Sequence, residues 1–251
     1  MQVFWVLFIG ILAYTAAAYL SGKLMGKSGI VFPPVALVLP MILFFFRHRI
    51  RPIPFFHAGR PSFRIYLAGA VLIIGFIVIM DEFKRLLQDF VIMDEALLEG
   101  IRSLMIFESA GEFAFLFTGA VILAPAAEEL LFRGFVQGAL QPSYGQVKSI
   151  LVSTVCFTVL HFQPWDNLHY FLMGLISAIV YDKTKSVFPC FLIHAVHNLV
   201  VLLFINAESR TMQGYNFHGH VSPLWMFMAV LMLYAGIRYI LNLQKTEKKT
   251  T

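Results

Sequence analysis

Eight apolar runs, each near the length that crosses a bilayer, dominate this sequence and leave little room for a soluble fold. They lie at about 3–21, 30–46, 63–80, 112–132, 147–162, 168–181, 187–206 and 222–242. A helix needs about 20 apolar residues to cross the hydrocarbon core, and in lipid every backbone N–H and C=O must be bonded within the segment. These runs predict an all-α, polytopic membrane protein of about eight transmembrane helices, built as one integral domain over 1–251. Composition agrees: 59% of the 251 residues are hydrophobic and 13% are charged, where soluble domains carry about 25% charged residues. The first run has no basic stretch ahead of it and no small-residue cleavage site behind it, so it reads as a retained span. Pro33, Pro34 and Pro40 predict a kink or a late start in the second run. Cys156 and Cys190 have no metal-ligand spacing and read as packed free thiols.

Charge sets the expected orientation. Arg47, Arg49, Arg51, Arg60 and Arg64 crowd one connection, which places it on the cytoplasmic side. Alternation then brings Lys183, Lys185, Lys245, Lys248 and Lys249 to that side, with both termini cytoplasmic in a multi-pass cell-membrane protein. The formal charge of +5 follows from this topology and calls for no nucleic-acid partner. The opposite side receives 81–111. Phe83, Leu86, Leu87, Phe90 and Val91, then Leu97, Leu98, Ile101, Leu104 and Met105, recur there at helical spacing, which predicts an additional amphipathic helical segment at the interface or a partly buried hairpin.

A few polar residues break the apolar runs, and in a membrane each is expensive unless paired or used. Glu128 and Glu129 are adjacent, and Arg133 follows Glu129 by four, the spacing of a helical ion pair. Glu128 then points about 100° away from Glu129 and has no local partner. His161 closes the fifth run. His194, His197 and Asn198 interrupt the seventh, with His194 and Asn198 on one helix face. This inventory suits the activation of a water molecule. A carboxylate taken out of water becomes a stronger base, and imidazole and carboxamide groups hold a metal or donate to a developing oxyanion. No serine or cysteine sits in a nucleophile-elbow context, and HExxH is absent. Measured along the helices, His194 lies shallowest, Glu128 deeper and His161 deeper again, so a shared site requires these three helices to converge.

Glu128-Glu129-x-x-x-Arg133, Phe157-x-x-x-His161 and His194-x-x-x-Asn198 resemble, in order and spacing, the three signature motifs of the CPBP family. That family comprises type II CAAX prenyl endopeptidases and bacteriocin-processing or immunity-type (Abi) membrane proteins. The likeness covers about residues 112–206. It implies that Glu128 activates the attacking water with His161, and that His194 and Asn198 stabilise the oxyanion. Glu129, Arg133 and Phe157 would support them, and His197 is outside the pattern. It also implies an intramembrane endopeptidase acting on a membrane-associated protein or peptide, prenylated in one branch of the family, with the lipid bilayer as its other partner. Two cofactor readings stay open: none, or zinc held by Glu128, His161 and His194 with water in the fourth position. The alternative function is a non-catalytic immunity factor or a transporter-like protein that uses the same buried polar cluster.

Overall fold

The computed structural model describes residues 2–51, 61–88, 90, 95–161, 166–207 and 212–247, with side chains for all of these except 95–97, 101 and 244–247. Arg60, Asp89, Val91, Asp94, Trp165, Lys248 and Lys249 lie outside the described residues. The helices are α1 (Gln2–Met25), α2 (Phe32–Arg47), α3 (Phe63–Gln88), α4 (Glu95–Met105), α5 (Ala110–Tyr144), α6 (Gln146–His161), α7 (Asn167–Thr184), α8 (Val187–Ile205) and α9 (Pro223–Glu247). Asn216–Phe217 and His220–Val221 form a two-residue antiparallel hairpin.

The protein is therefore an all-α membrane protein, and each of the eight apolar runs sits on a helix. Five stretches are long and apolar enough to cross a membrane: Gln2–Arg47, Phe63–Gln88, Ala110–Tyr144, Val187–Ile205 and Pro223–Leu243. The first of these holds two of the expected spans. α1 and α2 pack against each other across a 3-10 turn, Gly26–Val31, that starts at a positive φ of 57° on Gly26. Pro33 and Pro34 occupy the first turn of α2, where their missing N–H groups cost nothing, and they give the late start that the sequence predicts. The 16-residue α6 is apolar but shorter than a full crossing.

Two compact units divide the chain: Met1–Pro61 with Glu108–Ala195, and Ser62–Phe107 with Val196–Thr251. In the first, α5 is interrupted by π-helical stretches at Phe117–Leu123 and Leu130–Gln137 that flank Ala124–Glu129. π turns add a residue per turn and re-aim the side chains beyond them, and they recur at functional sites. α5 and α7 are joined by three hydrogen bonds in one register. Arg133 donates to the Gly174 carbonyl at 3.0 Å, Gln137 to the Ala178 carbonyl at 2.9 Å and Gln141 to the Asp182 carboxylate at 2.8 Å. Each bond joins residues 41 apart. A constant offset means that the two helices run parallel.

In the second unit, α3 continues to Gln88 instead of ending near residue 80, so the first half of the expected interfacial segment is the end of a longer helix. The second half is the separate helix α4. Asn206 clasps its end, donating to the Met105 carbonyl and accepting from the Phe107 amide at 2.9 and 3.0 Å. α3 and α9 meet through glycines. A Cβ on Gly75 would lie 2.6 Å from the Ala229 carbonyl oxygen, and one on Gly236 would lie 2.5 Å from Leu72 Cβ. Such small residues let membrane helices approach closely.

Candidate active site

Three helices of the first unit deliver the polar residues. α5 presents Glu128, Glu129 and Arg133 on its central turns. α6 is fixed to it by Ser153, whose hydroxyl donates to the Phe132 carbonyl at 2.8 Å. Phe157 and His161 follow Ser153 at successive four-residue steps on the same face. α8 brings in His194.

The two adjacent glutamates meet different environments. Glu129 Oε2 and Arg133 Nε form an ion pair at 3.1 Å with both side chains fully buried. Glu129 Oε1 accepts from His194 Nδ1 at 2.9 Å. Glu129 therefore serves Arg133 and His194 together. Glu128 Oε2 is buried and has no direct hydrogen-bond partner among the described residues. It faces His161 Nε2 at 3.7 Å and His194 Nε2 at 3.9 Å.

Ring orientation explains this gap. His161 Nδ1 lies 3.0 Å from the Phe157 carbonyl, to which it donates, and His194 Nδ1 donates to Glu129. In the neutral form each imidazole thus turns an unprotonated Nε2 towards Glu128. Three acceptor atoms facing one another repel unless something carrying protons or positive charge lies among them. A water molecule at ordinary hydrogen-bond distances reaches them. Zinc ligands at about 2.0–2.1 Å in a tetrahedron stand about 3.4 Å apart, so the 3.7 and 3.9 Å separations would have to tighten by a few tenths of an ångström to hold the ion. Among the described residues, no group of three or more His, Cys, Asp or Glu is disposed to hold a metal ion.

Phe157 packs at the centre of the cluster. Its ring is 4.6 Å from the Arg133 guanidinium and 4.7 and 5.6 Å from the rings of His161 and His194. Tyr170 stacks on the other face of His161 at 4.0 Å. On α7, Gly174 accepts from Arg133 and leaves no slack, since a Cβ there would sit 3.0 Å from Phe157 Cδ1. Neither Tyr170 nor Gly174 is identified by the sequence analysis, which treats α7 only as a span. The small residues Gly174, Ser177 and Ala178, at helical spacing, were the available sign of close packing there.

The structure thus brings Glu128, Glu129, Arg133, Phe157, His161 and His194 together. Asn198 belongs to the second unit, one turn beyond His194 on α8. Its Oδ1 accepts from His197 Nδ1 at 2.9 Å, and the His197 ring lies 6.5 Å from that of Phe76.

These features define a multi-pass membrane protein with a buried carboxylate–imidazole cluster within its helices. Residues 110–200, which hold all three motifs, match the family model described as Type II CAAX prenyl endopeptidase Rce1-like, and over that segment the resemblance is borne out. The chain is similar to UPF0177 protein YbdI of Lactococcus lactis subsp. lactis (strain IL1403), at 28% identity over 36% of this chain and 49% of that one. It is also similar to "Putative membrane peptidase YdiL" of Bacillus subtilis (strain 168), at 30% identity over 33% and 34% of the two chains. UPF0177 protein YxdF of the same Lactococcus strain is 30% identical over 31% and 43%. The chain thus spans half or less of the length of these relatives. No solved structure matches it at a comparable level.

Proposed function

We propose that this protein is an intramembrane endopeptidase that hydrolyses a peptide bond with water activated by Glu128. The observation that carries the reading is the buried, unpartnered Glu128 Oε2 facing two imidazole Nε2 atoms. A water held there donates one hydrogen to Glu128 and the other to an imidazole, His161 being its main partner. Glu128 takes a proton as the water oxygen bonds to the substrate carbonyl carbon. That proton passes to the leaving amine nitrogen as the peptide bond breaks. His194, when both ring nitrogens are protonated, and Asn198 are the proposed donors to the oxyanion. Glu129 orients the His194 ring through Nδ1, in the way a carboxylate orients a catalytic histidine. Arg133 is the counter-ion of Glu129.

The proposed substrate is a protein or peptide segment at the membrane, with a prenylated CAAX-type tail as the class suggested by the matching family model. The mechanism is proposed to need no zinc, and no step is routed through a metal. Exhaustive chelation should leave activity within about twofold, checked together with the metal content of the purified protein. A loss restored by stoichiometric zinc would overturn this part.

Glu128→Gln is the central test. It keeps the shape and removes the base, so cleavage of lipidated peptide reporters in proteoliposomes should fall by about 10²–10⁴-fold with membrane levels unchanged. Full activity would overturn the peptidase reading. A non-catalytic immunity or transport role would survive the substitution.

A further inference from the structure

We propose that a groove beside α2 binds one anionic phospholipid, with its phosphate on Arg47, Arg49 and Arg51 and its acyl chains along the apolar wall. The groove has a volume of about 900 Å³ and is walled mainly by Met41, Ile42, Phe45, Phe46 and Leu130. Ile42 and Phe46 are exposed, Phe46 by 85%. The three arginines line the same groove, within four residues of the end of α2. No acidic partner engages them among the described residues. Positive charge at the end of a membrane helix is expected from topology alone. A cavity roomy enough for acyl chains, lined by the same three unpaired guanidiniums, is not. Arginine binds phosphate oxygens in a bidentate fork, and basic pockets between membrane helices are suited to anionic head groups.

A peptide substrate ending in a carboxylate would share the negative charge, but position argues against it. The groove touches α5 at Leu130, and its lining includes neither carboxylate and neither of the two histidines. Its floor is the start of the π-helical stretch Leu130–Gln137 that carries Arg133. A lipid seated there would brace the segment from outside without entering the site.

The test uses the full chain in detergent, titrated with phosphatidylglycerol or phosphatidylcholine and read by native mass spectrometry. One phosphatidylglycerol should be retained at least tenfold more strongly than phosphatidylcholine. Each arginine neutralised by Arg47→Gln, Arg49→Gln or Arg51→Gln should weaken retention about fivefold, and the triple variant should lose the preference. Ile42→Trp fills the groove while keeping the charges and should weaken retention of both lipids. All four positions are exposed, and unchanged thermal unfolding without added lipid would verify the fold. Equal retention of the two lipids, or a triple variant that behaves like the parent, overturns the proposal. So does an Ile42→Trp variant with undiminished retention, which would reduce the effect to surface charge. If an apolar peptide with a free carboxylate displaces phosphatidylglycerol and its amide does not, the groove takes a peptide terminus and the lipid assignment falls.

Discussion

The chain contains the same ion-pair signature twice. In the first unit Glu129 pairs with Arg133, and in the second Asp81 pairs with Arg85, each an acid four residues ahead of an arginine. Around Asp81, several hydrogen bonds converge on one carboxylate oxygen, Oδ2. Asp81 also accepts from the Tyr215 hydroxyl at 2.8 Å, and Arg85 reaches the Gly219 carbonyl and Asn216. Next to Asp81, Glu82 takes the His220 ring at 2.8 Å and the Val221 amide at 2.7 Å. Asp81 and Arg85 are 32% and 23% exposed, so water shares the load. This cluster clips the loop before α9 onto α3. His220 is one of its pins.

The first-unit cluster has similar ingredients and the opposite balance. Its ion pair is fully buried, and the neighbouring carboxylate, Glu128, keeps one oxygen without a direct partner. A polar cluster that is well bonded and partly open to water holds structure together. One that is buried and incomplete costs stability, and its cost is consistent with a role in chemistry.

The contrast is broken most severely at the carboxylates. Glu128→Gln should abolish the proposed activity and leave the fold intact, whereas Glu82→Gln should leave activity within about twofold and loosen the loop. The arginines come next. Arg133→Met strands the Glu129 charge in the interior, and removing one partner of a buried pair typically costs about 3–5 kcal/mol. Arg85→Met removes a half-exposed pair worth about 1 kcal/mol or less. Thermal unfolding in one detergent compares the two directly. Equal losses would mean that the two ion pairs are energetically alike and that burial is not what separates them. Gly174→Ala is milder. The new methyl meets Phe157 Cδ1 at 3.0 Å and Thr154 Cγ2 at 3.4 Å, and such overpacking costs about 1–3 kcal/mol. Because Phe157 seats both histidines, activity should fall further than the stability loss alone explains. Gly22→Ala, which meets nothing within 4 Å, is the control and should be neutral in both assays.

Much of this was legible because charge inside an apolar run has so few explanations. Glu128, Glu129, Arg133, His161 and His194 stood out for that reason, and the Glu129–Arg133 pair followed from helical spacing. What stayed hidden shares one physical character: it depends on backbone groups or on register between helices. The Gly174 and Ala178 carbonyls that accept from Arg133 and Gln137 carry no side-chain signature. Two π stretches in α5 change which side chains share a face, and they cannot be counted from a 3.6-residue period. The bond from Glu129 to His194 links residues 65 apart. With Arg133 so near in sequence, a second partner for Glu129 was not apparent. The continuation of α3 to Gln88 was missed because Asp81, Glu82, Lys84 and Arg85 read as the polar side of a separate interfacial helix when their partners in the 215–221 segment are not known.

The smallest expected effect tests whether the second cluster is as tight as its hydrogen bonds imply. Burial, and then the negative charge of Asp81, push the Tyr215 phenol above its ordinary value of 10.0. In the folded protein Tyr215 keeps its proton at pH values where the unfolded chain has begun to lose it. The unfolded state then binds fewer protons, so stability declines as pH rises beyond about 10. Below that pH the contribution is fully present. Tyr215→Phe removes the titrating group along with its bond to Asp81. It should cost about 1 kcal/mol near neutrality and flatten the alkaline decline relative to the parent protein. Lysines also titrate in this range, so the measurement is the difference between the two melting-temperature profiles from pH 8 to 11. Parallel profiles would mean that Tyr215 does not hold its proton against the solvent. The cluster at Asp81 would then be looser than its bond lengths suggest, and its contrast with the buried cluster at Glu129 would be sharper still.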